Sequence, residues 1–299
     1  MRAYMGDAVL LYLQELIDWE SYFNWKKGED SDVDVDRAAL QEVLETAAAI
    51  CEEQEPALRA GWDESATLEN DQVIYPAHIK ETIDKLTEAG LISFGVEEEY
   101  DGFGLPSFVA NVILQMVSRA DGGLMTILGL QAGVAEDIQK FGSEEIKREF
   151  LPRFASGEVM GAMDLTEPQA GSDVGALKSK AEANGDGTYA ISGQKIYISW
   201  GDHAVAETIC HLVLARIPGA PEGTKGISLF LVPKFLPNAD GSLGACNGVT
   251  TVSLEHKMGI HGSPTAVLQY DQAKGWLIGP EQGGMAAMFT MMNNARLSV

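Results

Sequence analysis

The order of sequence patterns along this chain constrains its fold more than any single motif does. The first half carries apolar residues at helical spacing in six segments, 9–17, 36–51, 76–89, 107–119, 131–141 and 143–154. From Val159 onward apolar residues alternate in short runs separated by Gly, Pro and Asn, which is typical of half-buried strands. Helices followed by strands indicate an α+β fold, whereas a Rossmann sheet needs the two in alternation. The order excludes a nicotinamide enzyme of the Rossmann type.

The same pattern predicts the domain organisation. We expect an N-terminal all-α domain over residues 1–158 and a small antiparallel β-barrel or sandwich over residues 159–279. Its strands are predicted at 189–192, 195–199, 208–217, 226–232, 249–254 and 266–270, with turns at Gly193 and at residues 184–187, Asn-Gly-Asp-Gly.

The last twenty residues, 280–299, are predicted to begin a C-terminal helical domain. Their apolar residues recur at helical spacing, at Met285, Met288, Phe289, Met292 and Ala295. No Gly, Asn or Pro closes this helix before Val299. We therefore expect the sequence to be a fragment whose C-terminal domain is truncated.

Composition narrows the functional class. A net charge of −23 leaves no basic stripe for phosphates, which argues against nucleic-acid binding. The acidity fits a solvated surface, with an acidic face for a basic partner as the alternative, and residues 28–34 are interpreted as an acidic linker.

Three widely spaced cysteines and five histidines without an H-x-x-H pattern predict neither a disulfide framework nor a metal site. The chain has no signal peptide and no membrane-spanning run, so we expect a soluble, cytoplasmic protein.

Two segments together indicate a cofactor site. Residues 165–175, Leu-Thr-Glu-Pro-Gln-Ala-Gly-Ser-Asp-Val-Gly, form a loop that can turn backbone N–H groups and two hydroxyls toward an anionic or heteroaromatic ligand. Residues 193–201, Gly-Gln-Lys-Ile-Tyr-Ile-Ser-Trp-Gly, are a turn and a strand ending in a hydroxyl and an aromatic ring. Together the two segments supply hydrogen-bond donors for a ring edge, an aromatic side chain for a ring face and a loop for phosphates. A flat, phosphate-bearing cofactor needs all three.

Five segments in order make the chain similar to the N-terminal and middle parts of the acyl-CoA dehydrogenase family. They are residues 99–106, 165–175, 193–201, 255–260 and 278–285. Residues 255–265 and 291–296 further resemble a longer subgroup that includes methylmercaptopropionyl-CoA dehydrogenases. The resemblance implies FAD as cofactor, an acyl-CoA substrate, an electron-transferring flavoprotein as electron acceptor and a homo-oligomer at full length.

The resemblance also assigns residues to the flavin. Leu165 and Thr166 match positions that hold the pyrimidine edge of the ring, and Met163 should lie beside it. Gly171 and Ser172 match the loop that touches the FAD pyrophosphate, and Ser172 also touches the thioester arm of the substrate. These residue types suit the chemistry, because donors near N5 and near N1/C2=O stabilise the reduced flavin that hydride transfer produces.

Three further assignments and two departures complete the comparison with the family. Tyr197 stands where the family usually has Trp, against the flavin face, and Ser199 stands where it usually has Thr, near N5. Arg296 matches a substrate-site arginine at the start of the C-terminal domain. Asp164 replaces a usual small residue, and Trp200 replaces a usual Asn. The catalytic base of the family lies in the C-terminal domain, so it is expected beyond Val299 and its identity is unknown from this sequence.

Each assignment has a plainer alternative. Thr166 and Ser199 could be strand-end hydroxyls, and Tyr197 could be a core aromatic. Glu167 resembles a general base, but we expect it to structure the loop. At the level of function, a non-catalytic binding protein of the same fold and a flavin monooxygenase of the same fold stay as alternatives to the dehydrogenase.

Overall fold

The structure is a computed structural model that describes residues 4–28, 32–238, 240 and 242–298. Residues 29–31, within the predicted acidic linker, and Val299 lie outside the described residues. The helices of the described part are α1 (Asp7–Leu11), α2 (Trp19–Lys27), α3 (Val33–Ala60), α4 (Ala77–Glu88), α5 (Ser107–Ala120), α6 (Gly122–Phe141), α7 (Glu144–Ser156) and α8 (Gly284–Ser298). A π-helical turn, Tyr12–Leu16, follows α1.

Local sequence explains where the helices begin. The Ser143 hydroxyl accepts a hydrogen bond from the Ile146 N–H at 3.3 Å, which confirms its predicted role as N-cap of α7. Asp121 caps α6 in the same way through the Leu124 N–H, at 2.8 Å. Pro76 immediately precedes α4, where a missing N–H costs nothing.

Two helical predictions were too short. The third helix continues past residue 51 to Ala60 and includes Pro56, because Leu44, Cys51 and Leu58 on one face pack into the helical core. The sixth helix begins at Gly122 rather than at residue 131. Its first half contains three glycines, which weaken the helical signal of the sequence.

The strands form one large sheet and two small hairpins. Their bounds are β1 (Thr67–Glu69), β2 (Gln72–Ile74), β3 (Val159–Asp164), β4 (Lys180–Ala183), β5 (Tyr189–Ser199), β6 (Thr208–Arg216), β7 (Ile227–Pro233), β8 (Phe235–Pro237), β9 (Leu243–Cys246), β10 (Val249–Leu254) and β11 (Thr265–Ile278). The large sheet has seven strands in the order β10-β11-β5-β4-β6-β3, and β7 bridges β6 and β11.

The α+β order is confirmed, but the predicted antiparallel barrel or sandwich needs correction. The sheet is mixed, because β3 runs parallel to β6 over six residue pairs. A ring of pairings passes through β4 and β6, yet Lys180 and Arg216 are its single paired residues there. One residue pair does not close a barrel wall, so the sheet is not a regular closed barrel.

The expected alternation of buried and exposed residues fails in the centre of the sheet. All residues of β7 are buried, and β6 is buried except for Arg216. One face of β6, with Cys210 and Leu212, packs under the helices, and the other face, with Ile209 and Val213, lies in the sheet interior. A strand covered on both faces shows no period of two in its sequence.

The predicted turn at Gly193 is wrong, whereas the turn at residues 184–187 is confirmed. Residues 189–199 form the single strand β5, and Gly193 pairs with Tyr270 of β11. A Cβ on Gly193 would lie 2.2 Å from Ser179 Oγ, so this glycine permits the close approach of Ser179, the residue before β4. The Asn184 N–H donates to the Thr188 carbonyl at 2.9 Å across the β4–β5 hairpin.

The prediction for the last helix is confirmed at Met285, Met288 and Met292, which pack in a core cluster, and is wrong at Phe289. Ala287, Met288 and Met291 are buried, whereas Phe289 is 43% exposed. The buried face packs in the cluster that α6, α7 and the sheet share. Among the described residues, no helix combines the length and the apolar character needed to cross a membrane.

Candidate functional site

The structure joins the two predicted cofactor segments by direct hydrogen bonds. The loop that follows β3 lies against β5, and the Ile196 N–H donates to the Thr166 carbonyl at 2.9 Å. One residue earlier in β5, Lys195 Nζ donates to the Leu165 carbonyl at 3.2 Å. Residues 165–166 and 195–199 therefore form one surface.

A buried ion pair anchors this surface. Lys195 and Glu167 are 0% and 3% exposed, and Lys195 Nζ lies 2.9 Å from Glu167 Oε1. The carboxylate also accepts bonds from the backbone N–H groups of Lys178 and Ser179, at 2.6 and 3.1 Å. Burial alone would raise the pKa of Glu167, but the Lys195 charge and these bonds outweigh it and lower the pKa to about 2. An ionised, fully engaged carboxylate confirms that Glu167 structures the loop.

The predicted ligand-facing side chains are accessible to different degrees. Tyr197 is 61% exposed, so the alternative of a core aromatic is wrong. Its φ of 60° places it in a bulge opposite β11, which turns the ring out of the strand. Thr166 and Ser199 are half-buried, and Gly171 and Ser172 are exposed. An open aromatic face beside two half-buried hydroxyls and an exposed Gly-Ser loop fits a planar, phosphate-bearing ligand.

Three other residues of the segments are turned inward. Met163 is half-buried under the helices. Trp200 is fully buried, stacks on His203 with ring centroids 4.1 Å apart, and donates its N–H toward Met160 Sδ at 3.2 Å. Asp164 is fully buried and contacts Tyr270 and His211. Trp200 therefore packs in the core, where it has no access to a cofactor.

A cavity that the sequence did not predict lies between α5, α6 and α8. Its volume is about 340 Å³, within the range of pockets that hold small ligands. Apolar side chains dominate the wall, among them Phe94, Leu114, Leu130 and Met291. Gly129 lies on the wall, and a Cβ there would have open space around it. A glycine inside a helix lowers its stability. Gly129, in an otherwise apolar part of α6, is therefore the feature of the sequence that could have indicated the cavity.

Arg296 lies on the helix that closes the cavity. The residue is exposed near the end of α8, while Asn294, Ala295 and Leu297 line the cavity. Its role at a substrate site stays a prediction.

The described residues contain no group of three or more His, Cys, Asp or Glu side chains that could hold a metal ion. The cysteines are free, and burial raises the pKa of the Cys51 thiol to about 12. Neither observation adds a second chemical centre to the surface formed by residues 165–172 and 195–199.

Comparison with known proteins assigns most of the chain to two domain types. A model of the acyl-CoA dehydrogenase N-terminal domain matches residues 38–158, and a model of the acyl-CoA dehydrogenase middle domain matches residues 162–273. The 3-methylmercaptopropionyl-CoA dehydrogenase of Ruegeria pomeroyi is 39% identical over 292 residues, which is 97% of this chain and 49% of that protein. This chain thus spans about half the length of that relative.

Solved structures show the same fold. A chain from the structure described as the electron transferring flavoprotein of Acidaminococcus fermentans has a TM-score of 0.71 and 29% identity over 87% of this chain and 62% of that chain. The acyl-CoA dehydrogenase of Bacillus anthracis, solved with FAD, has a TM-score of 0.66 and 27% identity over 87% of this chain and 41% of that chain.

Proposed function

We propose that this chain, which belongs to the acyl-CoA dehydrogenase family, supplies the flavin-facing part of an FAD-dependent enzyme that desaturates an acyl-CoA thioester. The observation that carries the proposal is the surface built from two distant segments. The Ile196–Thr166 backbone bond and the Lys195–Glu167 pair hold together the segment that carries Thr166 and the strand that carries Tyr197 and Ser199. The Bacillus anthracis relative of similar fold contains FAD, which supports this cofactor.

The residues of the surface have complementary parts in this proposal. FAD, when bound, accepts a hydride from the β-carbon of the substrate. Thr166 and Ser199 donate hydrogen bonds to the ring edge, and Tyr197 covers a ring face. The exposed backbone at Gly171 and Ser172 meets the pyrophosphate, with Ser172 also toward the thioester arm. Donors fixed in place before the reaction stabilise developing charge without reorganisation.

We assign the acyl chain of the substrate to the cavity between α5, α6 and α8. Its wall is mainly apolar, and Glu97, Glu136 and Gln139 are among the polar residues that line it. An acyl chain gains free energy by burying methylene groups, about 0.8 kcal/mol for each. The position of Arg296, next to two cavity-lining residues of α8, is consistent with a contact to the substrate.

We expect the chain by itself to be inactive. Glu167, the carboxylate nearest the proposed ring site along the chain, is buried and ionised against Lys195, so it is not free to remove the α-proton. In our proposal the base, the rest of the FAD site and the contacts of a homo-oligomer belong to a further helical domain. An electron-transferring flavoprotein is the proposed electron acceptor, and one structure of similar fold, from Acidaminococcus fermentans, is described as such a flavoprotein.

Titration of the 299-residue chain with FAD tests the proposal. We expect binding that quenches flavin fluorescence, and no turnover of any acyl-CoA with an artificial electron acceptor. Thr166→Val and Ser199→Ala should each weaken FAD binding about five- to tenfold, the effect of one hydrogen bond of about 1 kcal/mol. The matched control is Thr250→Val, an exposed threonine of β10 that should leave affinity unchanged. Equal FAD affinities for the wild type and the three variants would show that Thr166 and Ser199 do not bind the flavin. Turnover of an acyl-CoA would contradict our assignment of the catalytic base to a further domain.

A further inference from the structure

A buried polar cluster lies directly behind the proposed flavin surface. Asp164, His211 and Tyr270 are each at most 1% exposed. Tyr270 donates its hydroxyl hydrogen to Asp164 Oδ2, and His211 Nδ1 lies 3.3 Å from Asp164 Oδ1. The three residues come from β3, β6 and β11, so one carboxylate ties three strands together.

The carboxylate occupies a particular place in its strand. Asp164 is the last residue of β3, between Met163 and Leu165. Alternate residues of a strand point to opposite faces. Asp164 accordingly points into the sheet interior, where Ala162 also packs, while Met163 and Leu165 pack against the cluster under the helices. Holding Asp164 therefore fixes the point at which the chain leaves the sheet for the flavin surface.

A buried carboxylate needs strong partners to be tolerated, because an unpaired charge in the interior costs several kcal/mol. The cluster supplies them. Burial and the neighbouring Asp164 raise the pKa of the Tyr270 hydroxyl well above its usual value, so it keeps its hydrogen and remains a donor. The imidazole of His211 supplies the second contact.

Asp164 also interacts electrostatically with Lys195, which pairs with Glu167 on the other side of the loop. Burial lowers the pKa of Lys195, and the charges of Glu167 and Asp164 oppose that shift. Lys195 in turn donates to the Leu165 carbonyl. The first residues of the loop are thus held between Asp164 and Lys195.

We propose that Asp164 is a positioning residue, which acts through Tyr270 and His211 to fix Met163, Leu165 and Thr166 in the geometry that FAD requires. The proposal rests on the flavin function proposed above. It makes two separate claims: the cluster orders residues 165–172 in the protein without cofactor, and this order sets the environment of the bound flavin.

Amide hydrogen exchange of the 299-residue chain without FAD tests the first claim. The variants are Asp164→Asn and Tyr270→Phe, which remove a charge and a donor at nearly constant shape. The control is Thr251→Val, which removes the hydrogen bond that Thr251 donates to the buried Asp202 of the same domain. Each protein is measured at the same number of degrees below its own melting temperature. We expect the exchange rate over residues 165–172 to rise about tenfold in both variants relative to the control. Tyr270→Phe keeps the test available if Asp164→Asn does not fold.

FAD titration and the absorption spectrum of the bound flavin test the second claim. Both variants should weaken FAD binding about tenfold and shift the flavin absorption bands, whereas Thr251→Val should do neither. Unchanged exchange over residues 165–172 in both variants would overturn the proposal and reduce the cluster to core packing. Increased exchange with wild-type affinity and spectrum would overturn the link to the flavin. Absence of FAD binding by the wild-type chain would count against the proposed function, while the exchange result would still decide the positioning role.

Discussion

Two buried carboxylates, Glu167 and Asp137, have opposite surroundings. Glu167 accepts bonds from the Lys195 ammonium, the Gln169 amide and two backbone N–H groups. Asp137, on α6 beneath α8, is fully buried, and neither of its oxygens accepts a well-formed hydrogen bond from the described residues. Burial and the neighbouring Glu136 raise the pKa of Asp137 to about 8, whereas the pKa of Glu167 is lowered to about 2. Partners, rather than depth, decide whether a buried acid is a fixed anion or a titrating group.

The largest effect expected from this comparison is the loss of the Glu167 partner. Lys195→Met leaves a buried carboxylate without its cation, and we expect the free energy of unfolding to fall by about 3–5 kcal/mol. Lys274→Met is the control, because Lys274 and Asp186 form an exposed pair with a distance of 3.5 Å. Such a pair contributes about 0–1 kcal/mol. Denaturant unfolding of the two variants measures the contrast, and equal midpoints would show that the buried pair does not anchor the loop.

The second effect is a pH dependence that arises at Asp137. Its pKa is raised on folding, so the folded chain binds the extra proton and loses stability as pH rises from about 4 to 8. Asp137→Asn removes that titration. Relative to the variant, the wild type should lose about 4 kcal/mol of unfolding free energy between pH 4 and pH 8. Parallel curves of unfolding free energy for the wild type and Asp137→Asn over that interval would show that folding does not raise the pKa of Asp137.

Glu167 should show the opposite sign. Its pKa is lowered on folding, so its stabilising effect is present above about pH 4.5 and is lost as pH falls toward 2. Glu167→Gln should therefore be less stable than the wild type at pH 7, and the difference should shrink as the solution is acidified. Opposite slopes for the two carboxylates, measured by urea unfolding across pH, would confirm the comparison. Slopes of the same sign would break it.

The smallest effect separates two glycines of α6, one turn apart. A Cβ on Gly133 would lie 2.7 Å from Met291 Cγ of α8, whereas a Cβ on Gly129 would meet open space. Gly133→Ala should lower the unfolding free energy by about 1–3 kcal/mol and, by loosening α8, bring the pKa of Asp137 down. Gly129→Ala should raise stability by up to about 1 kcal/mol. Thermal unfolding distinguishes them, and a shared sign would show that α8 does not pack closely at Gly133.

The sequence predicted the class of fold, and it pointed to the two segments that the structure joins at the candidate site, better than it predicted the geometry of either. Helices and strands follow local patterns of apolar residues. The N-cap at Ser143 and the turn at residues 184–187 could also be predicted, because their residue types favour these roles. The parallel pairing of β3 with β6 could not be predicted, because pairing between distant strands leaves no local signal. The β1–β2 hairpin was missed, although Asn70 and Asp71 at its turn have positive φ angles and are residue types that favour such turns.

The surroundings of the site were the least predictable part. Lys195 in an alternating strand is not distinguishable from a solvent-facing lysine until its partner Glu167 is placed beside it. Asp164 was recognised as a departure from the family, but its partners lie 47 and 106 residues away along the chain. Long-range polar clusters of this kind depend on tertiary packing, which neither period nor propensity encodes.

A crystal structure of the chain with FAD tests the central claim most directly. The account predicts the flavin ring against Tyr197, with the hydroxyls of Thr166 and Ser199 within hydrogen-bond distance of the ring edge. It also predicts the pyrophosphate at the backbone of Gly171 and Ser172. Density for the flavin in the cavity between α5, α6 and α8, or away from both segments, would contradict the account.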